Sequence, residues 1–271
     1  MGKPAMPTKG NYTTELNEAQ ETLTKGQQVR DSIIGPKAQS DLAYWFAELY
    51  NYITTYEIKD RGVFEHPYFV MHFIPIFYDM YAAAAESYRR QNDPAGEALR
   101  ATAAGMVKNM MPLGGVLAQQ MTTIPPIATN WQAHFSIAST PADPTKNLML
   151  WGTGVTQAIV SGVSAHINGD MANALVEAWK TFDAKYSGVP KLDAFHGDFF
   201  ERNKPIFVKV RTDLINEVVN RGTGLATMMR GTVNPTFASD MADKLNLGLK
   251  VDDIYKWRED AWQNAKKALK Q

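Results

Sequence analysis

The chain has 271 residues, of which 45% are hydrophobic and 21% charged, an ordinary globular balance with ample material for one large core. Its 28 Lys and Arg residues balance 28 Asp and Glu residues, so the basic stripe of a nucleic-acid binder is missing and no nucleic-acid partner is expected. There is no cysteine, which removes disulfides, thiolate metal ligands and Cys nucleophiles.

Residues 1–12, rich in Pro, Gly, Lys and Thr, read as a flexible N-terminal arm, with residues 13–271 as a single α-helical domain. The opening Met1-Gly2-Lys3-Pro4 lacks an apolar core, so no signal peptide is expected. That leaves a cytoplasmic chain and one exported after processing both open. Beyond the arm the apolar spacing is helical almost throughout. Ser40 is placed to cap a helix with the stripe Leu42, Trp45, Phe46, Leu49, Ile53 and Tyr56, ended by Gly62. His66-Pro67 opens a second, striped by Phe69, His72, Phe73, Ile76 and Met80, with a kink expected at Pro75. This apolar stretch, Pro67 to Ala85, holds His72, Pro75 and Asp79, which argue for a buried helix and against a membrane span.

Asp93-Pro94 starts a third helix through Leu99, Ala103, Met106 and Met110, and residues 112–126 read as irregular. Asp143-Pro144 is a cap followed by Pro at the first helical position, and predicts a long helix to about Phe182. Later helices are predicted over 205–221, with Leu214, Ile215, Val218 and Val219 inward, then 237–247 and 252–269. No segment alternates with a period of two between hairpin turns. The fold class is therefore all-α, arranged around a long central helix.

In that central helix Val155, Ile159, Gly162, Val163, His166, Asp170 and Ala174 fall on one face. An imidazole and a carboxylate on an otherwise apolar face need a reason, because burying them unpaired costs several kcal/mol. Gly162 and Gly169 each cost the helix about 1 kcal/mol relative to Ala and open room for a close neighbour. Three accounts compete for the pair. It is a structural polar network, or the start of a divalent metal site such as zinc, or a metal-free acid–base pair in which Asp170 orients His166.

His196 and Asp198, about fourteen residues beyond this helix, are candidates to complete the site. His196 would be a third metal ligand beside His166 and Asp170, and Asp198 a further catalytic carboxylate or a helix cap. The substrate pocket is expected to be lined by Phe69, His72, Phe73, Trp131, Val163, Asn168 and Met171, to suit a hydrophobic or lipid-like small molecule. No phosphate-cradling Gly loop, nucleophile elbow or H-E-x-x-H is present, and no nucleotide or flavin is expected. Trp257 and Trp262 on the last helix are candidates for self-association as a homo-oligomer, or for packing on their own domain.

Gly162-Val163-Ser164-Ala165-His166-Ile167-Asn168-Gly169-Asp170, followed by Ala174-Leu175, resembles the signature of the bacterial domain of unknown function 5995. Phe64 to Phe69 with Phe77 to Tyr81, Trp131 to Phe135, and His196 to Asn203 are similar to further segments of that family. His166 to Met171 also resembles a segment of the zinc phospholipase C and P1 nuclease fold, whose matching His and Asp are metal ligands. That fold carries a further His soon after the Asp, where this chain has Ala172-Asn173-Ala174-Leu175. The second resemblance implies a metal-dependent hydrolase or lyase centred on His166 and Asp170. The alternatives are a metal-free cyclase or isomerase using His166, and a helical protein that binds a small molecule without acting on it.

Overall fold

A computed structural model of the chain describes residues 2–33, 42–110, 119, 123–140, 147–230 and 235–271, and among these it is helical, with no β-strand. The expected cap at Ser40 and the Asp143-Pro144 start signal lie outside the described residues, as does much of the 112–126 stretch. The helices are α1 (Thr13–Ile33), α2 (Ala43–Lys59), α3 (Pro67–Gln91), α4 (Pro94–Met110) and α5 (Thr129–Ala138). They continue with α6 (Leu148–Ser164), α7 (Met171–Lys185), α8 (His196–Phe199), α9 (Lys204–Arg230), α10 (Pro235–Gly248) and α11 (Val251–Leu269).

The predicted long helix is the spine, and α6 and α7 are its two halves. Asn147 caps it, accepting a hydrogen bond from the Leu150 N–H at 3.0 Å. Between the halves, Ala165–Asp170 form a π turn, in which the Met171 N–H donates to the His166 carbonyl five residues back. The spine packs against α2, α3, α5, α9, α10 and α11, while α1 lies across α2 and α3. Helix α3 runs unbroken through Pro75. The spine, Leu148–Lys185, is long and apolar enough to cross a membrane, its most apolar 18-residue window having a mean hydropathy of 1.2. Its packing among six helices, α9 included, makes it a core element, and it gives no clear transmembrane segment.

The core is rich in aromatic residues. Trp45, Trp131, Trp151 and Trp262, with Phe64, Phe69, Phe182 and Phe195, are among the largest fully buried side chains. On α4 the expected stripe is not all inward, since Leu99 and Met106 are exposed. Trp262 packs against His196, Phe199 and Phe200 and donates toward Asp193, so it belongs to its own domain's core. The arm lies along the end of α7. There the Ser187 N–H donates to the Pro4 carbonyl at 2.9 Å and Ala5 bridges to Ser187.

Gly162 is where α2 meets the spine. A Cβ there would stand 2.3 Å from Cδ2 and 2.5 Å from Cγ of Phe46, a ring wedged edgewise against Tyr81, Trp131, His134 and His166. Gly162→Ala is expected to lower stability by about 1–3 kcal/mol, because overpacking outweighs the gain in helix propensity. Urea denaturation checks this, and an unchanged or raised midpoint would remove the close contact as the reason for glycine.

Candidate functional site

The π turn presents His166 and Asp170 to the same point. His166 Nδ1 lies 3.2 Å from Asp170 Oδ2. The carboxylate accepts two further bonds from α5: Trp131 Nε1 donates to Oδ2 at 2.8 Å and Asn130 Nδ2 to Oδ1 at 2.7 Å. Asn130 Nδ2 also reaches the Ala165 carbonyl in the π turn at 3.0 Å. Gly169 makes room for it, since a Cβ at that position would stand 2.2 Å from the same nitrogen. Asp170 is thus ringed by donors, and His166 must present Nδ1–H to it. The tautomer is thereby fixed, with an unprotonated Nε2.

That Nε2 is buried and has no hydrogen-bond partner. Burial lowers the His166 pKa below its usual value, opposed only in part by the hydrogen bond and charge of Asp170, so the ring is neutral at neutral pH. Phe77 stacks on it with centroids 3.5 Å apart, and Tyr50 meets it edge-on at 5.3 Å. His166 borders a largely apolar cavity of about 70 Å³ lined by Phe46, Tyr50, Phe73, Phe77, Val163 and Met171 among others. Burial raises the Tyr50 hydroxyl well above its ordinary pKa, which keeps it protonated and able to donate. At the same cavity stand Glu57 and Arg258, joined through Asn203: Asn203 Nδ2 donates to Glu57 at 2.6 Å, and Arg258 Nη1 donates to Asn203 Oδ1 at 3.0 Å.

The other expected site residues are divided. Phe73, Val163 and Met171 line the cavity with His166. Trp131 is behind the pair, holding Asp170, and does not line the cavity. Phe69 stacks on Phe195 at 3.9 Å, away from the cavity. His72 faces Thr181 Oγ1 at 2.9 Å and packs on Phe182. Asn168 is exposed and donates to Ser164 Oγ on its own helix.

His196 and Asp198 do not join the pair. His196 stacks on Phe200 and its Nε2 lies 3.0 Å from Glu259. Asp198 is turned to the start of α3: it accepts from the backbone N–H groups of Glu65 and His66 at 2.7 and 2.8 Å, Oδ2 sits 3.0 Å from His66 Nδ1, and Arg202 Nη1 pairs with Oδ1 at 3.6 Å. It anchors an interhelical corner and does not cap a following helix. No three His, Asp or Glu side chains among the described residues gather as a metal site would need. With Asp170 taken by Trp131 and Asn130 and turned to His166 Nδ1, and His196 turned elsewhere, the residues do not fit the expected zinc centre.

Asn130, Tyr50, Phe77, Glu57 and Arg258 are functional candidates that sequence reasoning missed. A signal for some of them exists. Phe46, Tyr50, Ile53 and Glu57 recur at i, i+4, i+7 and i+11, so Glu57 continues an apolar face where an acid is out of place. Trp131, His134, Phe135 and Ala138 likewise carry helical spacing and are the buried residues of α5. Asn130 had no such signal, because its role depends on the π turn.

No curated protein and no solved structure matches the chain. One family model, described as a family of unknown function (DUF5995), matches residues 126–271. The match begins just before α5 and takes in Asn130, Trp131, the whole spine with its π turn, and Arg258, while the Phe64 to Tyr81 segments precede it. The Asp170 network lies wholly inside that range, and covering more than half of its length, the match places this chain in the DUF5995 family.

Proposed function

We propose that the protein is a metal-free acid–base catalyst of the isomerase or cyclase type, acting on a small apolar molecule held in the cavity beside His166. The observation that carries this reading is the unpartnered Nε2 of a neutral imidazole whose tautomer Asp170 fixes, on a ring bordering an apolar cavity. Asp170 orients the base. The Tyr50 ring stands 5.3 Å from that of His166, and its hydroxyl, held at 3.5 Å from the Ile74 carbonyl by a long hydrogen bond, is the donor for an oxygen on which negative charge develops. In an isomerisation next to a carbonyl, Nε2 takes the proton from carbon, Tyr50 steadies the enolate oxygen, and the protonated imidazole returns the proton at the far end of the double bond. No external reactant is needed.

But-3-enal, small enough for the cavity, tests the chemistry, because moving its double bond into conjugation needs one proton removed and one returned. The wild-type protein is expected to accelerate this shift, and His166→Gln to lose at least about 100-fold of the acceleration. Equal rates in the two proteins would overturn the reading. Binding of the aldehyde without turnover would favour the alternative, a protein that holds an apolar molecule and leaves it unchanged.

A further inference from the structure

The lining of the cavity also holds a cation that the acid–base reading does not use. Arg258, on α11, is only 9% exposed and borders the cavity. Its Nη1 donates to Asn203 Oδ1, and its guanidinium lies over the Tyr255 ring at 5.0 Å. Its Nε is buried with no hydrogen-bond partner. Among the described residues no carboxylate forms an ion pair with it. The acid on the same wall, Glu57, is engaged by Asn203, and burial raises its pKa against the opposing charge of Arg258. A buried guanidinium with an unpartnered Nε–H and no carboxylate in direct contact is costly, and an anion arriving with a ligand would relieve that cost.

We propose that the cavity accepts a short-chain carboxylate, its anionic end held by Arg258 and its hydrocarbon part against the aromatic wall of Tyr50 and Phe77. This rests on the reading above in placing the ligand in that cavity, and it names the substrate class that reading leaves open. The volume, about 70 Å³, is roughly half that of an engineered cavity that takes benzene at ~150 Å³, which argues for a short chain and against a long lipid tail. A carboxylate suits the free Nε–H, because charge-assisted bonds from Arg are short and directional. Apolar walls match the hydrocarbon.

Titration of the whole chain with propanoate, 1-propanol and propyl phosphate, followed by amide NMR shifts, tests this. Propanoate is expected to bind at least tenfold more tightly than 1-propanol. Arg258→Met is expected to lose that tenfold while keeping 1-propanol within twofold, which also shows that the variant is folded. If Arg258→Met does not fold, the ranking in wild-type protein decides alone. Equal binding of propanoate and 1-propanol, or tighter binding of propyl phosphate, overturns the carboxylate proposal and leaves the acid–base reading standing. Binding of none of the three overturns the cavity as a ligand site, and both readings with it.

Discussion

Replacing Asp170 with alanine is expected to destabilise the protein by about 3–5 kcal/mol, more than any other single change in the spine. Its carboxylate is the shared acceptor for Trp131 Nε1 and Asn130 Nδ2 and faces His166 Nδ1. Removing it strands donors in a core where water cannot replace the lost acceptor, and each orphaned group costs about 1–3 kcal/mol. Asp170→Asn keeps the volume and one acceptor oxygen, and is expected to cost less, about 1–3 kcal/mol. The alanine variant should also lose the fixed Nδ1–H tautomer of His166, visible in imidazole ¹⁵N shifts. A loss below about 1 kcal/mol for Asp170→Ala would show that the carboxylate is not the hub of the network.

Acid should unfold the protein for a different reason, through three buried histidines held neutral. Burial lowers His72 and His134 from 6.5 to about 4 each, and lowers His166 as well. In each case the unfolded chain takes the proton more readily than the folded one. The stability is therefore fully present above pH 6.5 and is lost as pH falls toward 4. For His72 and His134 together the loss between pH 7.5 and 5 is about 4 kcal/mol. Glu57 works the other way, because burial raises its pKa and favours the folded state at low pH. Urea denaturation at the two pH values measures the net difference, and His134→Gln should make the dependence shallower by close to one proton. A stability that stays flat from pH 7.5 to 5 would contradict buried, neutral imidazoles.

The spine, α3, α4 and the last three helices were legible in the sequence because their apolar periodicity is a strong local signal, reinforced at α3 and α4 by Pro at the start, whereas the spine begins at Leu148 behind an extended Asn147. Helix α1 was not singled out, because its inward stripe of Leu16, Ala19, Leu23 and Val29 is thin and interrupted by polar residues, among them Glu15, 1% exposed and held by Lys185 Nζ at 2.9 Å and by the Tyr186 hydroxyl. The His166/Asp170 pair was legible as a spacing. Its partners were not, since Asn130 and Trp131 come from a helix whose approach depends on Gly169 and the π turn. His196 and Asp198 were close in sequence to the spine, but each found a nearer partner, Glu259 and the Glu65–His66 backbone. Sequence proximity carried no information about which wall of the cavity they would reach. Arg258, nearly ninety residues beyond Asp170, did reach it.

The π turn at Ala165–Asp170 also acts as a phase shifter. One surplus residue turns everything beyond it by about 100° relative to an uninterrupted α-helix. A single helical wheel drawn through Leu148–Lys185 therefore misaligns one half whenever it aligns the other. In the register the turn sets, the upstream half faces Phe46 with Gly162 and the downstream half packs Phe182 against Phe69. Shortening the turn by one residue would leave the spine helical and its composition nearly unchanged. It would nonetheless aim α7 at the wrong neighbours, so the length of this segment is as much a specification of the fold as its side chains are.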